Sequence, residues 1–177
     1  MNEISNVLSA NEQVIWQEPP KYSAYMTSAF IGLFFFSLFI SFFVFFTRKF
    51  IFFFIPVVVL ILGLVVANLS YNRTYYALTN KRAIVQSGII GRDFRSIDYD
   101  QIKNASINVG LIDMLFKVGS LRIFTGEIVM QTNSKGGNHM APRYDTFGHV
   151  ENPYDTLKLL QDKISTRKAN IYGGKDK

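Results

Sequence analysis

Two long runs without charge dominate the first half of the chain. No charged residue occurs for 26 positions after Lys21, and after the basic pair Arg48-Lys49 a second uncharged run begins at Phe50. At about 1.5 Å of rise per residue, roughly 20 apolar residues cross the ~30 Å hydrocarbon layer of a bilayer. The pattern predicts an antiparallel hairpin of two transmembrane helices, over residues 24–46 and 50–70.

After the second run the hydrophobic period changes from continuous to about two, which is typical of β-strands. The clearest alternation sets Ala105 and Ile107 against Asn104 and Ser106, so one face is expected to be buried and the other solvated. Short turns with Asn or Gly between the first strands predict an antiparallel meander. The predicted strands are residues 73–79, 82–87, 92–97, 102–109, 120–125, 127–132 and one more within 139–148.

Two helices are predicted in the same region. Residues 111–117 have helical spacing, with Leu111, Leu115 and Phe116 on one side, and we expect this short helix to pack beneath the sheet with Met114 as part of the core.

The C-terminal helix has clear signals. Asn152 is a suitable N-cap, Pro153 suits the first helical position, and Leu157, Leu160 and Ile164 form an apolar stripe. The predicted division of the chain is an N-terminal polar segment (1–23), the hairpin, a β-rich domain (71–166) and a basic disordered tail (167–177).

Charge is distributed unevenly along the chain. From Arg73 onward there are 16 Lys or Arg and 10 Asp or Glu, so the whole formal net charge of +6 lies in the β-rich domain and tail. Four basic residues flank the outer ends of the spans and two occupy the turn, and basic residues near spans remain in the cytoplasm. We therefore expect a multi-pass protein of the cell membrane with both termini and the domain in the cytoplasm. The four residues that flank the outer ends of the spans are Lys21, Arg73, Lys81 and Arg82, and the two in the turn are Arg48 and Lys49.

A series of antiparallel strands followed by one amphipathic helix is the layout of a pleckstrin-homology (PH)-like fold. Several short segments resemble the bacterial PH-domain family of YdbS-like membrane proteins, formerly a domain of unknown function. The resemblance covers nearly the whole β-rich domain and also the acidic opening and the two helices upstream. The segments are residues 11–16, 76–82, 87–92, 97–102 and 110–116, together with Gly119 and Asn152-Pro153.

The resemblance implies a membrane α-hairpin plus a mostly-β PH-like barrel or sandwich closed by a C-terminal α-helix. It implies no general ligand, because the similar residues form turns and buried apolar positions. The sequence departs from the family pattern at Asp98, where the family commonly has proline, and in the longer segment 135–143.

Four basic residues are candidates for binding anionic lipid headgroups: Lys81, Arg82, Arg92 and Arg95. Three interpretations stay open, namely specific phosphate binding, nonspecific attraction to an anionic leaflet, and a solvated basic face. Successive side chains on a strand point to opposite faces, so Arg92 is expected to group with only some of the others.

The sequence offers little chemistry for an enzyme. His139 and His149 are the only histidines, cysteine is absent, and no motif places a serine beside either histidine. The Gly136-Gly137 pair lacks the Lys-Ser or Lys-Thr of a nucleotide-binding loop. We expect no catalytic residues, no metal, no cofactor and no nucleic-acid partner.

Three hypotheses of function follow. In the first, a noncatalytic membrane protein presents its PH-like domain for protein interaction or scaffolding, with a sheet edge or the groove beside the C-terminal helix accepting a peptide strand. In the second, the domain recognises anionic headgroups through the four basic residues. In the third, the hairpin forms a homo-oligomer and the domain caps it.

Overall fold

The computed structural model describes residues 3–47, 54–132 and 138–172, and these contain seven β-strands, four α-helices and two 3₁₀ helices. The strands are β1 Val14–Glu18, β2 Tyr75–Thr79, β3 Arg82–Ser87, β4 Asp93–Asp98, β5 Asn104–Asn108, β6 Val118–Thr132 and β7 Asn138–Glu151. The α-helices are α1 Tyr22–Thr47, α2 Ile55–Tyr71, α3 Leu111–Phe116 and α4 Pro153–Tyr172, and the 3₁₀ helices are Ile4–Val7 and Tyr99–Gln101.

Two antiparallel sheets form the domain. Within the described residues the first sheet has the order β1-β2-β3-β4 and the second the order β5-β6-β7. Their inner faces meet in one core, in which Leu78 and Ile97 of the first sheet pack with Leu121 and Phe147 of the second. The predicted mostly-β sandwich is confirmed.

The C-terminal helix closes this core. Leu160 of α4 is fully buried in it, and Leu157 and Ile164 pack against it, as the apolar stripe predicted. The helix continues to Tyr172, so the predicted boundary between helix and tail at residue 167 lies too early. Residues 173–177 of the predicted tail lie outside the described residues.

The N-terminal segment belongs to the domain. Residues 14–18 form β1 and pair antiparallel with β2, and Trp16 of β1 stacks on Phe147 with ring centroids 6.2 Å apart. The preceding 3₁₀ helix covers the outer face of the first sheet, where Ile4 is buried against Ala77 and Ile84. The prediction of a separate polar segment over residues 1–23 missed this because β1 pairs with a strand about 60 residues away.

The two long helices pack side by side in opposite directions. Tyr25, near the start of α1, contacts Ser70, near the end of α2. Further along α1, Ser37 donates a hydrogen bond to the Pro56 carbonyl at the start of α2, so the two helices are antiparallel. Between these points a Cβ on Gly63 would lie 2.5 Å from Cδ2 of Leu33, which indicates close packing at a small residue.

One helix of the described residues, α1, is long and apolar enough to cross a membrane, over Tyr22–Phe45. The second helix, α2, is apolar and has 17 described residues. The predicted span 50–70 is therefore seen as helix from Ile55 onward, and its residues 50–53 lie outside the described residues. The prediction of two spans is not confirmed by helix length.

The strand bounds differ from prediction in one instructive place. Residues 120–125 and 127–132 were expected as two strands, yet they form the single long strand β6. Gly126 has a φ of +94° within an irregularity of the pairing between β6 and β7, so the chain bends there without leaving the sheet. In the sequence Gly126 indicates a turn between two strands, whereas in the structure it forms a bulge within one strand.

The prediction that α3 packs its apolar side beneath the sheet is wrong. Asp113 is buried and faces the domain, while Leu111, Met114 and Leu115 lie on the exposed side. A polar contact explains this orientation of α3. Asp113 Oδ1 lies 2.6 Å from His149 Nδ1, and that contact fixes the rotation of the helix about its axis.

Candidate functional site

Arg82, one of the four candidate headgroup residues, forms its contacts within the domain. Its guanidinium contacts both carboxylate oxygens of Glu12 at 3.0 Å and donates to the Val7 carbonyl at 2.9 Å. Burial acts to raise the pKa of Glu12, but hydrogen bonds from Arg82, Ser9 N–H and Thr79 outweigh it and lower the pKa from 4.5 to about 2. Arg82 therefore clamps the N-terminal segment onto the sheet.

Lys81 and Arg92 also contact the N-terminal segment. The Lys81 ammonium donates to the Ala10 carbonyl at 2.8 Å, and Arg92 forms an ion pair with Glu3. Both contacts are at the protein surface, where water competes with them, so they are weaker than the Glu12 clamp.

Arg95 lies in a different environment. It forms ion pairs with Asp145 at 2.6 Å and Glu127 at 2.8 Å, and Arg143 also pairs with Glu127 at 3.1 Å. Burial raises the pKa of Asp145, although Arg95 and Arg143 act in the opposite direction. This cluster joins β4 to the second sheet.

The four candidate residues do not converge on one site. In the β3–β4 pairing, Arg82 is opposite Asp98 and Ser87 is opposite Asp93, so Arg92 lies at the other end of the hairpin from Arg82. Five residue steps of about 3.3 Å separate the two ends by about 17 Å. Lys81 and Arg82 are neighbours, whereas Arg92 and Arg95 lie apart from them and have acidic partners of their own.

The structure brings together a set of polar residues that sequence reasoning missed. His149 of β7 contacts Asp113 of α3 through Nδ1 at 2.6 Å and Ser28 of α1 through Nε2 at 3.3 Å. The three residues are more than 30 positions apart from one another and come from three elements, so no sequence spacing could have indicated the group.

Local structure explains how these side chains are held. Gly119 is opposite Val150 and Leu121 is opposite Phe147, so β7 carries one extra residue there, and His149 has a φ of +53° in this bulge. Asp113 is fixed by the Gly110 N–H, which donates to Oδ2 at 3.1 Å at the start of α3. The bulge turns His149 out of the sheet towards α1.

Further contacts surround this group where α1 and α2 leave the domain. The Lys21 N–H donates to the His149 carbonyl at 2.8 Å, and the Lys21 ammonium pairs with Glu151 at 3.3 Å. The Tyr71 ring packs against Tyr22 and Tyr25 with centroids 4.9 and 5.6 Å apart. We call this region, built from Lys21, Ser28, Tyr71, Asp113 and His149, the junction.

The geometry of Ser28, His149 and Asp113 resembles the order of a nucleophile, a base and an orienting acid. Hydrolases add N–H donors that stabilise the oxyanion formed next to the nucleophile. Ser28 lies six residues inside α1, where backbone N–H groups bond within the helix and are not available for that purpose. The described arrangement can fix α1 and α3 to β7 and orient a histidine.

A groove lies between β5 and α4. It has a volume of about 300 Å³, and β5 is an edge strand of its sheet within the part of the chain that the structure describes. Lys168 on α4 donates to the Ile102 carbonyl at 3.2 Å and closes one end. The lining residues are Ile102, Lys103, Asn104, Ala105, Gln161, Ile164, Ser165 and Lys168.

The groove contains two basic side chains and no acidic one among its lining residues. An edge strand with a basic margin can take up an extended chain with acidic side chains. In the described residues no group of three or more His, Asp or Glu lies close enough together to hold a metal ion.

Comparison with known proteins agrees with this architecture. The family model described as "Bacterial PH domain" matches residues 29–153. The protein belongs to the bacterial PH domain family, and the resemblance found in the sequence is confirmed. No curated protein matches the chain.

A solved structure is also similar in part. It is a DUF1696 family protein with a pleckstrin-homology domain from Shewanella loihica PV-4, and it is 16% identical to this chain. The match covers 54% of this chain and 71% of that one, with a TM-score of 0.29.

Proposed function

We propose that this is a noncatalytic integral membrane protein whose two helices cross the bilayer and hold the PH domain at the cytoplasmic surface, where it binds a protein partner. The observation that carries the proposal is the pairing of β1 with β2, because α1 and α2 lie between these strands in the chain. Neighbouring strands of one sheet are on the same side of a membrane. If α1 crosses the bilayer, the chain must cross back before Tyr75.

Helix α2 is well suited to that return. It runs antiparallel to α1 from the Tyr25–Ser70 contact to the Ser37–Pro56 contact. Any depth in the bilayer that α1 occupies between Tyr25 and Ser37 is therefore also occupied by α2. The basic residues at the outer ends of the helices favour the cytoplasm for the domain.

The junction makes the attachment rigid. Lys21 is hydrogen-bonded to β7, and Ser28 contacts His149, so α1 is fixed to the domain at its first two turns. In this proposal the Ser28, His149 and Asp113 group has a structural role. A rigid attachment gives the domain one fixed orientation relative to the membrane.

The groove between β5 and α4 supports the interaction part of the proposal. It combines an edge strand, an apolar wall that includes Ile164, and the basic residues Lys103 and Lys168. We infer that an extended, acidic segment of a partner protein adds to β5 there.

Recognition of anionic headgroups by Lys81, Arg82, Arg92 and Arg95 stays a hypothesis with less support. Arg82 already contacts Glu12, and the turn that holds Lys81 lies at the far end of β2 from the exit of α2. Over the four residue steps from Tyr75 to Thr79 that distance is about 13 Å.

Labelling of single cysteines tests the anchoring, because the chain has no cysteine of its own. Met140→Cys reports on the domain and Thr47→Cys on the end of α1. With a maleimide that does not cross membranes, we expect Met140→Cys to react only in inside-out vesicles and Thr47→Cys only in right-side-out vesicles. Reaction of both from the same side means that α1 does not cross.

Site-specific photo-cross-linking in intact cells tests the groove. A photoreactive residue at Asn104 or Ser165 is expected to give the same discrete adduct with a second protein, while one at Met140, exposed elsewhere in the domain, does not. Substitution of Ala105 by Arg should remove the adduct and leave membrane insertion unchanged. Adducts that persist in that variant or form equally at Met140 contradict the groove as the site.

A further inference from the structure

Three apolar side chains of α3 project away from the domain. Leu111 is 88% exposed, Met114 68% and Leu115 75%, and the three share one side of the helix. On the opposite side, Asp113 is bonded to His149, so the helix cannot rotate to bury these residues without breaking that contact. Neighbouring apolar side chains fixed in an exposed position commonly mark a contact surface.

Helix α3 lies beside the part of α1 that is apolar enough for a membrane. Leu111 and Asp113 line one cavity with Ser28 and Ile31 of α1. The apolar stretch Tyr22–Phe45 has 24 residues, which is about 36 Å of helix against a hydrocarbon thickness of ~30 Å. If the stretch is centred, Ser28 and Ile31 lie roughly 5–10 Å below the surface of the hydrocarbon layer, and α3 lies at their level.

A second apolar group lies at the same end of the domain, in the loop between β3 and β4. Ile90 is 94% exposed and Ile89 is exposed beside it. Arg73 donates hydrogen bonds to the carbonyl groups of both isoleucines, with 2.7 Å to Ile90. Because Arg73 follows the last residue of α2, Tyr71, by two positions, the loop is fixed next to the exit of α2.

From these positions we propose that the domain inserts α3 and the β3–β4 loop into the lipid leaflet from which α1 and α2 emerge. Leu111, Met114 and Leu115 contact acyl chains on the α1 side, and Ile89 and Ile90 do so on the α2 side. The ligand is the bilayer itself. This inference rests on the proposed crossing of α1.

A bilayer suits this surface better than a second copy of the chain. The apolar residues of α3 lie beside the exposed apolar surface of α1, with Leu111 and Ile31 lining one cavity, and the Tyr71 ring packs against Tyr22 and Tyr25 where α1 and α2 leave the domain. Tyrosine at this level is typical of the membrane–water interface. Polar contacts hold the apolar side chains of both elements outward. His149 contacts Asp113 of α3, and Arg73 donates to the carbonyl groups of the β3–β4 loop.

Fluorescence quenching by labelled lipids tests the inference on the full chain. Single cysteines at Leu115 and Ile90 carry an environment-sensitive fluorophore, and the protein is reconstituted in phosphatidylcholine vesicles with or without nitroxide groups on the acyl chains. Met140→Cys is the matched control, because Met140 is 74% exposed and lies nine residues along β7 from His149, which is up to about 30 Å from the junction. Phe39→Cys, on the exposed surface of α1, reports on the span.

We expect nitroxide lipids to reduce the fluorescence at Leu115 and Ile90 by at least half, and to leave the Met140 label unchanged. Quenching at Phe39 without quenching at Leu115 or Ile90 overturns this inference and leaves the anchoring intact. A label at Leu115 that is shielded from water but not quenched indicates a protein contact and also overturns it. Absence of quenching at Phe39 overturns the anchoring itself.

Discussion

Glu12 and Arg82 are 70 positions apart in the sequence, yet the guanidinium of Arg82 contacts both oxygens of the Glu12 carboxylate at 3.0 Å. The pair joins the segment that precedes α1 to the hairpin that follows α2. Helices α1 and α2 lie between these two residues in the chain, so the pair links the parts of the domain that precede and follow the helices. The stability of this contact therefore affects both the fold and the attachment of the helices.

The first prediction concerns acid. The pKa of Glu12 is lowered from 4.5 to about 2 in the folded protein, so the folded state binds this proton less readily than the unfolded state. The stabilisation is present above pH 4.5 and is lost as the pH falls towards 2. Its size is about 3 kcal/mol, at about 1.4 kcal/mol for each tenfold change in proton affinity.

Urea unfolding of the detergent-solubilised chain at several pH values checks this, with the fluorescence of Trp16 as the signal. Trp16 is the single tryptophan and lies in β1, next to the clamp. In Glu12→Gln the loss of stability between pH 4.5 and 2 should become shallower. Asp162→Asn, an exposed carboxylate on α4, should retain the profile of the unsubstituted chain; an unchanged profile in Glu12→Gln contradicts the assignment.

The second prediction concerns the packing of the two long helices. A Cβ on Gly63 would meet Leu33 Cδ2 at 2.5 Å, whereas a Cβ on Gly32 would have no neighbour within 4 Å. We expect Gly63→Ala to lower the free energy of unfolding in detergent by up to about 1 kcal/mol, because the Leu33 side chain must shift and the helix preference of alanine offsets part of that cost. Gly32→Ala should be neutral or slightly stabilising, because alanine favours helix more than glycine does.

The double variant Gly63→Ala with Leu33→Ala separates local crowding from a general effect of the substitution. Removal of the Leu33 side chain should recover part of the loss, since the two sites are in contact. Strictly additive effects of the two substitutions count against the contact between them.

The third prediction concerns the loop that holds Ile89 and Ile90. Gly88 has a φ of +137° and a Cβ there would lie 2.4 Å from the Gly91 carbonyl oxygen, while Gly91 has open space around it. Gly88→Ala should therefore destabilise the loop by about 1–3 kcal/mol, and Gly91→Ala should have little effect. Hydrogen exchange of residues 87–93 measures both, and equal protection in the two variants contradicts the prediction.

The fourth prediction concerns the junction. Asp113→Asn removes the carboxylate that His149 contacts at 2.6 Å and that fixes the start of α3. We expect hydrogen exchange in residues 111–116 to rise by tenfold or more. Ser28→Ala removes only the contact at 3.3 Å and should have a smaller effect, of about 1 kcal/mol.

Asp155→Asn is a suitable control for the junction, because Asp155 is exposed and pairs with Lys158 on the same helix. A Ser28→Ala variant as strongly affected as Asp113→Asn is not expected from these distances. It would indicate that the serine, and not the carboxylate, fixes the position of α3.

Local patterns determined much of the architecture from the sequence alone. The apolar run after Lys21, the period of two after Tyr71, and the cap and stripe of the helix at Pro153 each depend on residues close together in the chain. Physical chemistry acts on such neighbours directly, so the long apolar helix, the meander and the C-terminal helix were predictable, as was membership of the bacterial PH domain family.

Only the tertiary structure decided which faces are buried and which charges are paired. β1 pairs with a strand that follows both long helices, Arg82 is neutralised by Glu12, and Asp113 rather than Leu111 faces the domain. Each outcome is set by a partner distant in sequence, and a polar contact such as that between Asp113 and His149 outweighs the local apolar pattern. The sequence could supply the elements and the basic residues, but the contacts that turn α3 outward and separate Arg92 from Arg82 exist only once the sheets have formed.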